Sequence, residues 1–91
     1  MLIVVSYDVA NDRRRTRLAK ELENFGRRVQ YSVFECLLDA GQLDRLRTRV
    51  LRRIEASEDS VRIYSLCQDC RAKVEVHGLG TVTEEPKVYV V

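Results

Sequence analysis

Residues 2–7, LIVVSY, form an unbroken apolar and β-branched run. Such a run reads as a central strand that offers apolar side chains to both faces of a sheet. The rest of the chain must supply cover for both. Asn11 or Asp12 can cap the helix that follows, on which Leu18, Leu22 and Phe25 share one face at the i, i+4, i+7 spacing. Gly26 is expected to end that helix in the left-handed C′ position. Residues 28–38, RVQYSVFECLL, are rich in Val, Tyr and Phe and read as one extended run, with no Gly, Pro or Asn to mark a hairpin. Asp39 caps a second helix with Gln42 three residues on as a capping box, and Leu38 and Leu43 are spaced for a hydrophobic staple. Leu43, Leu46, Val50 and Ile54 make its buried stripe, with Arg45, Arg49 and Arg52 on the opposite side. Residues 60–67, SVRIYSLC, alternate as a strand, residues 72–77, AKVEVH, alternate again, and Pro86 precedes a last short strand, KVYVV.

Two helices can cover only one face of this sheet. The other face is either solvated or buried against a partner, and the apolar first strand points to a dimer. Ninety-one residues make one domain, and an apolar share of 45% argues against wholesale disorder. No apolar run approaches the ~20 residues that cross a bilayer, so no membrane partner is expected. The N-terminus lacks a basic region and leads from Met1 directly into a strand, so a signal peptide is not expected either, and the expected address is cytoplasmic.

Net charge is only +2, yet thirteen of the sixteen basic residues are Arg. Residues 13–28 hold seven basic groups against two acidic ones. The arginine fork matches phosphate with two parallel bonds, so a basic face of this composition suggests nucleic acid; solvated charge alone would also produce it. His77 is the single His and reads as a surface residue, so Ser-His or Cys-His machinery has no second His to spare, HExxH is absent, and no Gly-rich phosphate loop is present. Cys67-Gln-Asp-Cys70 supplies half of a tetrahedral metal site at most. A redox pair usually begins a helix after a strand, whereas this pair is expected between two strands, as small residues in a tight connection. Asp8 remains. A carboxylate ending a central strand is a common active-site location and equally a common solvent-facing turn residue. Mg²⁺ takes hard oxygen ligands, and two copies of Asp8 across a two-fold axis would make a plausible site where one copy would not.

YDVANDRRRTRLAKELENFGRRVQYSVFECLLDAGQLDRL and DSVRIYSLCQDC together resemble the CRISPR-associated endoribonuclease family, the small second subunit of the spacer-acquisition machinery. The resemblance runs from Met1 to about Gly80. Its most specific pieces are Tyr7-Asp8 ending the first strand, the Arg-rich helix start, and Arg28-Val29-Gln30 followed by Ser32-Val33-Phe34-Glu35. It implies an α+β, ferredoxin-like βαββαβ domain over residues 1–91, with an antiparallel sheet and two helices on one face. It further implies that residues 28–38 divide into two strands near Ser32. A C-terminal strand within about 81–91 would contact the partner subunit of a homodimer.

The activity implied is Mg²⁺-dependent (or Mn²⁺-dependent) phosphodiester hydrolysis of single-stranded RNA or double-stranded DNA. Asp8 would be the metal ligand and catalytic residue together with Tyr7, and the metal would polarise the phosphoryl oxygen and generate hydroxide. Arg14, Arg15, Arg17, Arg28 and Phe34 would contact nucleic acid. The family also bridges copies of an integrase subunit without cutting, so a DNA-binding adaptor is the alternative. A ferredoxin-like module binding a small regulatory ligand is a third reading, disfavoured because no Gly-rich ligand loop is present.

Overall fold

Strand β1 (Leu2–Asp8) lies inside a four-stranded sheet, as its two-sided apolar pattern predicts. The other elements are α1 (Asp12–Glu23), β2 (Arg27–Gln30), β3 (Val33–Leu37), α2 (Ala40–Arg53), β4 (Ser60–Leu66) and α3 (Gln68–Ala72). This computed structural model describes residues 1–84; the expected KVYVV strand lies outside the described residues. The strand order is β2-β3-β1-β4, with every neighbouring pair antiparallel. Each β-α-β unit thus straddles one strand of the other, which is the ferredoxin-like arrangement.

Both helices pack on one face. Ile3, Val5 and Tyr7 of β1 and Phe34 and Cys36 of β3 meet Leu18 and Leu22 of α1 and Leu43, Leu46 and Val50 of α2. Each large side chain fully enclosed here stabilises the fold by about 1.5–3 kcal/mol. Local signals set the helix starts. Asn11 Oδ1 accepts the Arg14 N–H at 2.9 Å. Asp39 and Gln42 form the reciprocal capping box, at 2.8 and 2.9 Å. The helices are joined across their contact by buried Glu21, which accepts from Arg53 at 3.0 and 3.2 Å.

The opposite face carries half-buried Val4, Val33, Leu37 and Leu66 beside exposed Tyr64. Part of it is crossed by the chain's own residues 81–83. Thr83 donates its N–H (3.1 Å) and its hydroxyl (2.6 Å) to Glu35, while Arg27 donates to Thr83 Oγ1 at 2.8 Å and to the Thr81 carbonyl at 2.7 Å. No helix among the described residues is long and apolar enough to cross a membrane.

Three local expectations are corrected. Residues 28–38 do divide, with β2 and β3 joined through Tyr31 and Ser32, but the turn carries no glycine signal because every residue in it keeps a negative φ. A bulge between Arg28 and Gln30 absorbs the extra residue, and the Ser32 carbonyl accepts the Tyr7 N–H at 3.1 Å. The alternating segment 72–77 is not a strand. Ala72 ends the short helix α3, and among the described residues the rest of the segment has no strand partner. Gly26 is not a left-handed cap, since α1 ends at Asn24 in the right-handed region and, among the described residues, only Gly78 and Gly80 have positive φ. Gly26 is required by close approach: a Cβ there would lie 2.2 Å from the Glu35 carbonyl oxygen and 2.5 Å from Cys36 Sγ.

Gly26→Ala should therefore force β2 away from β3 and cost about 3 kcal/mol, the upper range for overpacking a close contact. Gly41→Ala, whose Cβ would meet nothing closer than Asp39 at 3.5 Å, should be neutral or gain up to about 1 kcal/mol from helix propensity. Chemical unfolding of the two variants distinguishes a packing glycine from a conformational one.

Candidate functional site

Asp8 is the last residue of β1, and its parity with Val4 and Ser6 directs it away from the helices. It is exposed, and no described residue donates a hydrogen bond to its carboxylate. The loop behind it is held by Arg15. The guanidinium donates to the carbonyls of Val9 (3.1 Å) and Ala10 (3.4 Å) and pairs with Asp12 in a close contact. It also lies 5.9 Å from the centre of the Tyr31 ring. The hydrogen bond to Asp12 raises the already high arginine pKa, so Arg15 is a fixed cation beside the end of β1.

Tyr7 is directed the other way. It is buried, its hydroxyl is 3.4 Å from the Tyr31 carbonyl, and its ring lies 6.4 Å from that of Phe34. Tyr7 and Asp8, the two residues expected to be catalytic, therefore stand on opposite faces of the strand. Phe34, expected at the nucleic-acid interface, has 0% exposure within this chain. It serves from within the core, as the surface over which the Arg28 guanidinium sits at 5.4 Å.

The arginine block separates into two kinds. Arg14 turns away from solvent partners. It donates to Asp59 at 2.9 and 3.1 Å and to Glu58 at 2.7 Å. Asp59, whose side chain is wholly enclosed, also accepts the Glu55 N–H at 2.8 Å. The Arg14 bond, then the Glu55 N–H, hold its carboxyl below the usual range. Arg14, expected to contact phosphate, thus ties the start of α1 to the loop before β4. Arg13 and Arg17, by contrast, are exposed and have no acidic partner among the described residues. Arg17 lines a groove of about 250 Å³ between the helices with Lys20, Arg49 and Arg53. A second cleft, about 350 Å³, lies between α1 and the β2 edge; Tyr7, Arg15, Lys20, Arg28 and Tyr31 line it. Lys20, Arg49, Arg53 and the 71% exposed Tyr31 were not evident as site residues in the sequence. Only the exposed aromatic at a turn, in Tyr31, carried a signal.

Among the described residues no group of three or more His, Cys, Asp or Glu could hold a metal ion. Asp8 has the hard-oxygen chemistry that Mg²⁺ prefers, but as a single carboxylate it provides one ligand per chain.

Comparison with known proteins adds an independent line. The family model for CRISPR associated protein Cas2 matches residues 1–74. CRISPR-associated endoribonuclease Cas2 3 of Chloroflexus aurantiacus is 41% identical over 91 residues, covering 100% of this chain and 98% of that protein. CRISPR-associated endonuclease Cas2 2 of Thermus thermophilus is 43% identical over 89 residues, covering 98% and 94%. A chain of the solved "Partial Cas6-RT-Cas1--Cas2 complex" superposes with a TM-score of 0.70 at 30% identity, covering 82% of this chain and 88% of that one.

The two kinds of arginine should separate in a melting experiment. Arg14→Ala leaves the enclosed Asp59 without its cation and should lower the Tm by several degrees. Arg17→Ala removes a solvated side chain and should leave the Tm within about one degree. Differential scanning calorimetry at neutral pH checks both.

Proposed function

The chain belongs to the Cas2 family of CRISPR-associated proteins, and from that premise we propose that it is a homodimeric, metal-dependent endonuclease that hydrolyses phosphodiester bonds. The observation that carries this reading is Asp8: an exposed carboxylate at the end of the central strand, with no partner among the described residues, followed by a loop whose carbonyls Arg15 holds. The activity in the printed names of the relatives, endoribonuclease in one and endonuclease in the other, agrees with it. Single-stranded RNA and double-stranded DNA both fit an interface built from phosphate-directed arginines rather than base-reading groups.

Assembly follows from the half-buried apolar face. Val4, Val33, Leu37 and Leu66 need a second layer, and a second copy supplies it by symmetry. Asp8 shares the parity of that face, so pairing would give the donor set the second carboxylate that one chain lacks. When bound, Mg²⁺ supplies charge neutralisation at the phosphate and activation of water. The chain's own residues do the remainder. Asp8 holds the ion, Arg15 keeps the loop behind Asp8 in place, and Arg17, Lys20 and Arg28 hold and orient the sugar-phosphate backbone.

A second reading is favoured by the exposed cations of the interhelical groove, which stand apart from Asp8. Arg17 and Lys20 are exposed there, while Arg49 and Arg53 share the groove's one carboxylate, Glu21, so the groove keeps a positive balance that needs no catalytic carboxylate to bind a duplex. The likeness to a chain from a complex with Cas1 in its name supports an adaptor that binds an integrase subunit.

Asp8→Ala should reduce metal-dependent cleavage of RNA and DNA at least a hundredfold, on the order of the loss of a transition-state charge stabiliser. The variant should remain a dimer by light scattering. Full-rate cleavage by Asp8→Ala would sink the nuclease reading, while an intact role in spacer integration with no cleavage by either protein would establish the adaptor. Duplex binding should weaken with salt in either case. Arg17→Ala should reduce the log–log slope by roughly 0.9 if Arg17 neutralises one phosphate, and an unchanged slope would mean that Arg17 is only solvated.

A further inference from the structure

The three cysteines fall into two environments. Cys36 is sealed in the core, where burial and then the charge of Glu35 push its thiol up to about 11. Cys67 and Cys70 are both exposed and serve neither reading of the function above. Contrary to the expected connection between two strands, the pair directly follows β4 and opens α3. Cys67 is extended, with φ −67° and ψ 168°, and its Sγ accepts the backbone N–H of Cys70 at 3.4 Å. Both side chains therefore belong to one turn. Residues three apart in a helical turn have Cα atoms roughly 5 Å apart, inside the window of about 4.4–6.8 Å that a disulfide requires.

We propose that Cys67 and Cys70 are a redox-active dithiol that closes to an intrachain disulfide by exchange with a low-molecular-weight disulfide. The Cys67 thiolate attacks one sulfur of the small disulfide, forming a mixed disulfide and expelling one thiolate. Cys70 then gives its proton to solvent and attacks Cys67 Sγ, which forms the Cys67–Cys70 bond and expels the second thiolate. Two protein thiols are oxidised, and one small disulfide is reduced to two thiols.

The order of attack follows from the surroundings. The backbone N–H of Cys70, then its thiol, hold the Cys67 pKa below the ordinary value. The hydrogen bond to Cys67 holds that of Cys70 above it. The better thiolate is therefore Cys67. Metal capture is the weaker use of the pair, because no third His, Cys, Asp or Glu among the described residues completes a site around it. The turn to be closed also carries Arg71, which donates to the Thr83 carbonyl at 2.7 Å, so the bond would form at the root of the segment that crosses the sheet.

The test uses the full chain, exposed to excess oxidised glutathione at neutral pH, then denatured, labelled with N-ethylmaleimide and weighed intact. Reduced protein takes three labels, one per cysteine. The expected oxidised product takes a single label, at Cys36, and is otherwise lighter by two hydrogens. Cys70→Ser should accumulate a glutathione adduct at Cys67, and Cys67→Ser should form its adduct more slowly, on the order of tenfold. Three labels retained by the wild-type chain, or a disulfide that links two chains, would overturn the proposal. Equal adduct rates in the two single variants would overturn the assignment of Cys67 as the attacking sulfur.

Discussion

The register of β1 is the constraint on which the rest of the molecule depends. The strand pairs with β3 from Leu2 to Ser6 and with β4 from Leu2 to Asp8, so both its edges are committed. Alternation then decides every side chain. Ile3, Val5 and Tyr7 meet the helices, while Val4, Ser6 and Asp8 face away. A slip of one residue would drive the Asp8 carboxylate and the Ser6 hydroxyl toward Leu18 and Leu22, at a cost of several kcal/mol for the buried ion alone. The bonds that hold the core in place are thus the same ones that hold Asp8 at the surface.

Electrostatics divides the molecule differently from a count of charges. Residues 13–28 are strongly basic as a window, yet Asp12, Glu58 and Asp59, which neutralise Arg14 and Arg15, lie outside it. Glu21, inside the window, is occupied by Arg53 of α2. What faces solvent is a sparser set of cations that includes Arg13, Arg17 and Lys20, and the position of Arg17 and Lys20 along the groove between the helices comes from the packing of α1 on α2.

Much of this was legible because it is local. The two-sided apolar run, the Asn11 cap, the Asp39–Gln42 box and the stripe Leu43, Leu46, Val50 each depend on residues within one or two turns of one another. The paired strands from residues 28–38 came from family resemblance, because a turn that keeps negative φ leaves no glycine to read. Partners distant in sequence were not legible: Asp59 is 45 residues from Arg14, and the β3 backbone that excludes a Cβ at Gly26 approaches only after the hairpin closes. The alternation at 72–77 misled because alternation makes a strand only beside an edge that can accept it, and α3 intervenes. At the site, the position of Asp8 followed from strand order, while the burial of Tyr7 was available from its parity with Ile3 and Val5.

The tight seat of Gly26 against Cys36 has a chemical consequence over the life of the molecule. With the glycine backbone close to its sulfur and 0% exposure, Cys36 is shielded from oxidants in solvent. Its oxidation waits on a local opening of the core, and lifting β2 from β3 uncovers the side that Gly26 closes. Its rate of irreversible oxidation therefore measures how often such an opening occurs, and the core carries in one sulfur atom a clock of its own local unfolding.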